Sequence, residues 1–425
     1  VTSGVAAATA VVVHMAKTSA VRTSFTEKRF AGKCSPPRND DHMRVVVVGA
    51  GPAGSSAAIE LARAGAAVRL IEKSTWPRAK TCGDGISPDG VRVARGLGVD
   101  LTDRVPLAFG TMSSPSRVVF RGGWPAELPW GAIVERRDFD DRLAQAAVAA
   151  GAQFEPGTTV RAIEPLAAGG ARIVIRRSGS VADAVIEADA VVLAEGATGS
   201  LALAAGFGKH RSRLVALRGY VRSDRDLEPS FGLHFDRAVV PGYAWIFPLD
   251  ARFANVGILV DDGFSRRDPD LRGVLERWLR ESPFARESLG DHPIVERVSG
   301  GVIPTGRPQR VRGAIFAVGD AAGVADPFSA EGIAQAMSCG VSVAGALIDA
   351  RGDLKLAART YARSLATFDA NARASRRMRT VFRYVVDPLS QRAAIRPALA
   401  QHLSSEGFFR KESVASFLIG IARTW

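Results

Sequence analysis

A chain of 425 residues that is 47% apolar and 23% charged has the composition of an ordinary globular protein, with length for roughly two or three domains. Its net charge of +13 raises the question of nucleic acid. The arginines, however, are scattered rather than clustered with aromatics, and no DNA- or RNA-binding motif occurs, so no nucleic-acid partner is expected. The basic balance fits docking on an anionic membrane, docking of an acidic electron-donor protein, or plain arginine-rich usage. Cys34, Cys82 and Cys339 are odd in number and far apart, which argues for a reducing, cytoplasmic compartment and against a disulfide framework. No apolar stretch approaches the ~20 residues that span a bilayer, so any membrane contact is expected to be peripheral.

Residues 1–42 are rich in Ala, Val, Ser and Thr, with Lys17, Arg22, Lys28, Arg29, Lys33 and Arg38 against one early acid, Glu27. This is the composition of a transit peptide. The alternatives are a disordered extension or a misassigned start, because Met43 stands directly before the first core strand. The segment is assigned no function.

That strand, Arg44-Val45-Val46-Val47-Val48, enters the turn Gly49-Ala50-Gly51-Pro52-Ala53-Gly54, and 55–63 reads as the helix that follows. Gly49 permits the tight turn, Gly51 lets backbone N–H groups approach a pyrophosphate, and Gly54 lets helix and strand pack closely. The helix N-terminus adds oriented N–H groups and a positive dipole. A second strand, 67–71, ends at Glu72 with Lys73 beside it. That is close to the ~20-residue spacing of an acid that accepts from ribose hydroxyls. A dinucleotide site follows.

Residues 78–88 are punctuated by Gly and Pro and read as a loop. The charged stretch 135–143 leads into a helix at 144–150, stopped by Gly151. Short β-like runs follow at 160–163 and 171–176, and the apolar strand 190–194 returns to the first sheet. Alternating segments from 214 to 260 read as an antiparallel sheet, the candidate substrate layer. Beyond 344 the chain is mainly helical, with helices expected at 354–378 and 395–402. The basic cluster Arg373, Arg376, Arg377, Arg379 and Arg383 either rests on an anionic membrane or is a solvated face.

Between these lies a second cofactor element. The buried strand 313–318 ends in Gly319-Asp320-Ala321-Ala322-Gly323, and an acid at a strand's carboxyl end before a Gly-rich turn sits in the usual ligand crevice. Asp320 is well placed for a ribityl chain. Gly332 and Ile333 open a small-residue helix whose N–H groups could face the flavin edge that becomes negative on reduction. Together with the first fingerprint, this element converts a dinucleotide into FAD.

At this point the chain resembles the FAD-dependent oxidoreductases that include aromatic hydroxylases, flavin halogenases and geranylgeranyl reductases, over about 43–350. The resemblance implies an α/β architecture: a Rossmann-like FAD-binding domain in two parts, 43–205 (with loop excursions at about 98–133) and 301–350. An antiparallel β-sheet substrate domain, 206–300, and a C-terminal helical region, 351–425, complete it. Cys82-Gly83-Asp84-Gly85 with Ser87-Pro88 resembles the flavin-proximal loop of geranylgeranyl reductases. That likeness implies a cysteine lining the reaction cavity, as a proton donor or as a small polarizable side chain. Tyr243-Ala244-Trp245-Ile246-Phe247-Pro248 is similar to the YxWxFP signature of the same family, whereas tryptophan halogenases carry WxWxIP. On a strand, Tyr243, Trp245 and Phe247 share one face, either as sheet core or as an aromatic wall for an apolar chain.

Asp326-Pro327-Phe328-Ser329-Ala330-Glu331-Gly332 resembles the turn that packs on the isoalloxazine, with Pro327 and Phe328 shaping the ring's surroundings. Arg136 matches the family arginine that contacts FAD; a surface ion pair is the alternative. Glu195-Gly196 stands where the family has Asp-Gly, which leaves a nicotinamide-related role there in doubt. The implied reaction is hydride transfer from reduced flavin to a C=C bond of a prenyl chain, either a geranylgeranyl-type lipid or a menaquinone side chain. Tyr243 and Trp245 would stabilise positive charge, and NAD(P)H or ferredoxin would supply electrons. The competing expectation is a flavin monooxygenase acting on an aromatic or polyketide-type substrate. No metal is expected.

Overall fold

The computed structural model describes residues 42–381 except 116, 118, 125–128, 168, 241 and 292. The expected N-terminal extension, Pro241, Arg383 and the helix at 395–402 lie outside the described residues. The first layer is a six-stranded sheet in the order Val311–Arg312, Ile315–Ala317, Ala190–Leu193, Arg44–Val48, Ala67–Glu72, Gln153–Pro156. It is parallel apart from the Val311–Arg312 hairpin strand. Val45, Val46, Val47 and Val48 are all buried, as expected where both faces of a parallel sheet are covered and alternation is lost. The helix Pro52–Arg63 packs between Arg136–Ala149 and Ile333–Ala350. A three-stranded antiparallel sheet, Thr158–Pro165, Ala171–Arg177 and Ala184–Ala188, contributes Ile163, Ile173 and Ile175 to the same core.

The helix expected at 144–150 begins at Arg136 and runs to Ala149. Its first two turns escape a reading by apolar content because their surface is ionic. Arg136 pairs with Asp140, and Asp138 with Arg142, each at i,i+4, a spacing that stabilises a helix. Phe139, Leu143 and Ala147 form the buried stripe.

The second layer is a seven-stranded sheet in the order Val295–Thr305, Ser212–Arg222, Phe253–Asp261, Tyr243–Pro248, Ser230–His234, Phe109–Ser113, Val119–Gly123. Ser230–His234 and Phe109–Ser113 run parallel, so the sheet is mixed. The stretch read as a loop excursion, about 98–133, supplies its last two strands. Alternation along Tyr243–Pro248 sends Ala244 and Ile246 into a core with Val274, Leu275, Trp278 and Leu279 of the helix Leu271–Glu281. Tyr243, Trp245 and Phe247 face the other way.

Ile333–Ala350 is, among the described residues, the helix long and apolar enough to cross a membrane, contrary to the reading that no such stretch exists. It is 67% buried. At its middle, a Cβ on Gly340 would meet the Ala53 carbonyl oxygen at 2.2 Å, so this helix presses backbone against backbone on Pro52–Arg63 and belongs to the core. The helix Leu354–Val381 is tied on by Arg310, which donates to both oxygens of Asp369 at 2.8 and 2.7 Å.

Candidate active site

The glycine turn is shaped for an anion. Gly49 has φ +103°, and a Cβ there would lie 2.3 Å from the Ala194 carbonyl oxygen. A Cβ on Gly54 would lie 1.9 Å from the Gly49 oxygen. Gly51 is different: its open face meets only the guanidinium ends of Arg78 and Arg136, at 3.7 and 3.9 Å. Pro52 occupies the first helical position, and the first turn holds no acid and no side-chain cap. The N–H groups and dipole of this 12-residue helix and two arginines therefore converge on the space over Gly51. The structure orients both cations. Asp140, fully buried, accepts from Arg136 Nε and Nη2 at 2.7 and 2.8 Å and from Arg78 Nη1 at 2.9 Å. Burial works against the charge on Arg136, but Asp140 holds it ionised. Glu72 is buried at the end of its strand and accepts from Ala50 N at 3.1 Å and Ser74 N at 3.0 Å. Lys73, next to it, is exposed.

Gly319 has φ +59°, and its missing Cβ would lie 2.8 Å from that of Ala53, so the two cofactor elements, far apart in sequence, touch. Asp320 follows at the carboxyl end of Ile315–Ala317. Its Oδ1 is 3.9 Å from where Gly332 would carry a Cβ, and Lys80 Nζ is 3.9 Å from its Oδ2. Ile333 begins the helix Ile333–Ala350, again with no acid in the first turn and no side-chain cap. Two bare helix N-termini, a carboxylate between them and glycines where a Cβ would collide fit FAD, with its central pyrophosphate and polyol.

The loop holding Cys82, Gly83 and Asp84 lies against the aromatic strand. A Cβ on Gly83 would be 3.4 Å from Phe247 and 3.6 Å from Trp245. Tyr243, Trp245 and Phe247 do share a face, with ring centroids 6.3 and 6.0 Å apart. They are the middle of a longer row that continues through Phe231 to Trp124 at one end. At the other end it runs through Phe235 to Phe328. The hydroxyl of Tyr243 donates to the Ser329 carbonyl, and burial raises its pKa. It is a fixed strut.

Loop and wall are joined by a buried polar network. Asp84, with φ +61°, accepts from Tyr220 Oη at 2.6 Å and Asn255 Nδ2 at 2.8 Å. Asn255 also donates to the Cys82 carbonyl at 3.0 Å and accepts from Trp245 Nε1 at 2.9 Å. Burial raises the Asp84 pKa, opposed by the Tyr220 and Asn255 hydrogen bonds. Burial likewise pushes the Cys82 thiol up, with Arg136 pulling it back. The turn at 326–332 is built by Asp326, whose Oδ1 accepts from Phe328 N and Ser329 N and whose Oδ2 accepts from Ser375. This shapes buried Pro327 and half-buried Phe328.

Tyr220, Asn255, Arg78 and Asp140 were absent from the expected site. The signal for Asn255 was present: a lone amide inside the apolar strand Phe253–Asp261. Glu195, in the segment where the family has Asp, caps the short helix Ser200–Ala204, accepting from Leu201 N and Ala202 N at 2.9 and 2.6 Å.

Residues 42–222 match the FAD binding domain family. The chain is 34% identical over 328 residues to the menaquinone reductase of Mycobacterium tuberculosis (strain CDC 1551 / Oshkosh), covering 73% of this chain and 78% of that one. It is 33% identical over 305 residues to digeranylgeranylglycerophospholipid reductase 1 of Methanopyrus kandleri, covering 70% and 78%. In fold it resembles a geranylgeranyl bacteriochlorophyll reductase-like protein from Thermoplasma acidophilum, with TM-score 0.77 and 20% identity over 91% of this chain and 97% of that one.

Proposed function

The chain belongs to the FAD-dependent geranylgeranyl reductase family, and we propose from this that it reduces C=C bonds of a prenyl chain, a geranylgeranyl-type lipid or the side chain of a menaquinone. The observation that carries the reading is the apposition of the 82–85 loop and the aromatic row, locked by Asn255. Reduced FAD, when bound, would supply the hydride, and water or a side chain the proton that completes each C=C reduction. The chain's residues bind and orient. Gly49, Gly51, Pro52, Ala53 and Gly54, with Arg78 and Arg136, take the pyrophosphate. Glu72 and Lys73 would hold the adenosine ribose, and Gly319, Asp320, Gly332 and Ile333 the polyol and ring edge.

On this reading the 43–205 and 301–350 segments carry the cofactor and the 206–300 sheet carries the substrate. Trp245 and Phe247 present π faces to an apolar chain and stabilise positive character on an alkene carbon, which matters because an isolated alkene accepts hydride poorly. Tyr243 sets the tilt of the wall through Ser329, and Phe328 closes its end beside Pro327. Cys82 lines the cavity with its proton retained, next to Gly83 and the anchoring Asp84. Electrons come from NAD(P)H or a ferredoxin-like protein, and the basic surface makes peripheral contact with the membrane that holds the lipid.

The test is anaerobic. Protein reduced with dithionite is mixed with geranylgeranyl diphosphate or menaquinone, and flavin absorbance and product mass are followed. Flavin reoxidation with a gain of one H2 per reduced bond in the side chain is expected. Reoxidation only on admitting O2, with an oxygenated aromatic product, would make the protein a monooxygenase.

A further inference from the structure

Arg307 is 2% exposed, and its guanidinium has no carboxylate within ion-pair distance among the described residues. Its Nη1 donates to the Gly208 carbonyl at 2.8 Å. Its Nη2 and Nε approach the Nδ1 and Nε2 of His210, each at 3.3 Å. His210 Nε2 in turn lies 2.9 Å from the carbonyl oxygen of Asp320. A carbonyl only accepts, so the Asp320 contact needs the imidazole proton on Nε2. Nδ1 then accepts from Arg307 Nη2, and the Arg307 Nε approach to Nε2 is a packing contact rather than a hydrogen bond.

Two glycines let these groups pack closely, although His210 itself is only half-buried. A Cβ on Gly199 would meet Arg307 Nη2 at 2.9 Å, and one on Gly323 would meet Gly306 N at 2.7 Å and His210 Cδ2 at 3.0 Å. The backbone closes the same contact, with Gly306 N donating to the Gly323 carbonyl at 2.8 Å. Arg307, His210 and the turn Gly319–Ala322 are thus one packed unit.

We propose that His210 is a positioning residue for the cofactor: as a neutral imidazole it holds the Asp320 turn in its binding geometry, and Arg307 is the buried cation that keeps it neutral. A second proton on the ring would remove the acceptor that faces Arg307 and set two cations in contact. Burial first, and Arg307 second, hold the imidazole below its ordinary range. The groups that oppose this are the backbone at Asp320 and Ala321 and the Asp320 carboxylate, while Glu195 faces Arg307 rather than the ring. Protein without FAD can relax the turn and accept the proton, whereas FAD packed on the turn resists it. Affinity for FAD therefore falls as pH drops, by up to roughly tenfold per pH unit below the imidazole midpoint of the FAD-free protein. The inference concerns cofactor retention and is independent of which substrate is reduced.

The experiment measures the FAD dissociation constant of the full chain between mildly alkaline and mildly acidic pH, by visible absorbance and flavin fluorescence. The proteins compared are wild type, His210→Gln and Arg307→Met. Gln carries an N–H donor for the Asp320 carbonyl but does not titrate, so His210→Gln should bind FAD near neutral pH and lose the acid-side weakening. Arg307→Met should move the weakening to higher pH, because the cation that holds the ring neutral is gone. Thermal unfolding of each apoprotein identifies a variant that fails to fold. In that case wild type alone decides, by whether its FAD affinity weakens on the acid side while the apoprotein remains folded. Acid weakening unchanged in His210→Gln, a midpoint unmoved in Arg307→Met, or no pH dependence in wild type would overturn the proposal.

Discussion

Trp245 Nε1 donates to Oδ1 of Asn255 at 2.9 Å, and through the other end of the same amide the indole is fixed to the loop of Cys82 and Asp84. One side chain with no exposed surface spends both of its amide protons and one oxygen on three partners from two layers. The wall's position is therefore set by a buried amide rather than by apolar packing alone.

Replacing that amide tests the network. Asn255→Leu keeps the volume but strips Trp245 of its acceptor and Asp84 of a donor. Each buried group left unpaired costs ~1–3 kcal/mol, so a loss of about 2–5 kcal/mol is expected by chemical denaturation. Asn255→Asp places a second carboxylate against Asp84, and like charges raise each other's pKa. Its deficit should shrink as pH falls, because protonating one acid restores a donor; a deficit that grows in acid would contradict the arrangement.

The glycine turn gives a sharper comparison. Gly54→Ala puts a methyl 1.9 Å from the Gly49 oxygen, whereas Gly123→Ala meets nothing within 4 Å. We expect Gly54→Ala to purify without bound flavin and Gly123→Ala to purify yellow, as read by absorbance after desalting. Equal flavin content in the two would show that the turn does not hold the cofactor.

Tyr243 and Trp245 lie side by side on one strand yet should respond differently. Tyr243→Phe loses one hydrogen bond to Ser329, worth about 1 kcal/mol of stability, and should leave single-turnover flavin reoxidation within about tenfold of wild type. Trp245→Leu removes the central π face and the bond to Asn255. Its reoxidation by a prenyl substrate should slow by roughly 30-fold, the rate equivalent of the ~2 kcal/mol of a desolvated cation–π contact. The reverse order would identify the phenol as the reacting group.

Cys82 yields a pH prediction. Burial raises its thiol pKa, so the proton is retained at neutral pH and the thiolate forms only above the ordinary ~8.5. Alkylation by iodoacetamide should be slower than for free cysteine at neutral pH and should still be climbing where free cysteine has levelled off. On the proposed role, in which Cys82 lines the site and keeps its proton, Cys82→Ala should keep reoxidation within about tenfold. A loss of ~10²-fold or more would make Cys82 the proton donor.

Much of the cofactor side was legible because it is written in backbone requirements. Gly49, Gly54 and Gly319 stand where a Cβ collides, and Asp320 follows a strand that can only be buried. Such demands leave a local trace. The clamp on the loop leaves almost none: Tyr220 and Asn255 reach Asp84 across 136 and 171 residues, and which polar side chain meets which is decided by sheet register. Arg136 was singled out, but not its place inside a helix, because the ionic pairs that stabilise that helix hide its apolar stripe. Glu195 shows the converse: an unusual residue in a family segment, whose longer side chain caps a neighbouring helix.

The parallel pairing of Phe109–Ser113 with Ser230–His234 also bears on how far the two layers can part. The chain leaves the cofactor layer only after the helix Pro88–Gly96, which packs on Ile333–Ala350, lends two strands to the far sheet, and returns as the helix Arg136–Ala149, long before the rest of that sheet is made. The two layers are stitched together at more than one seam, not joined by a single hinge. A jaw-like opening would have to bend every one of those crossings at once.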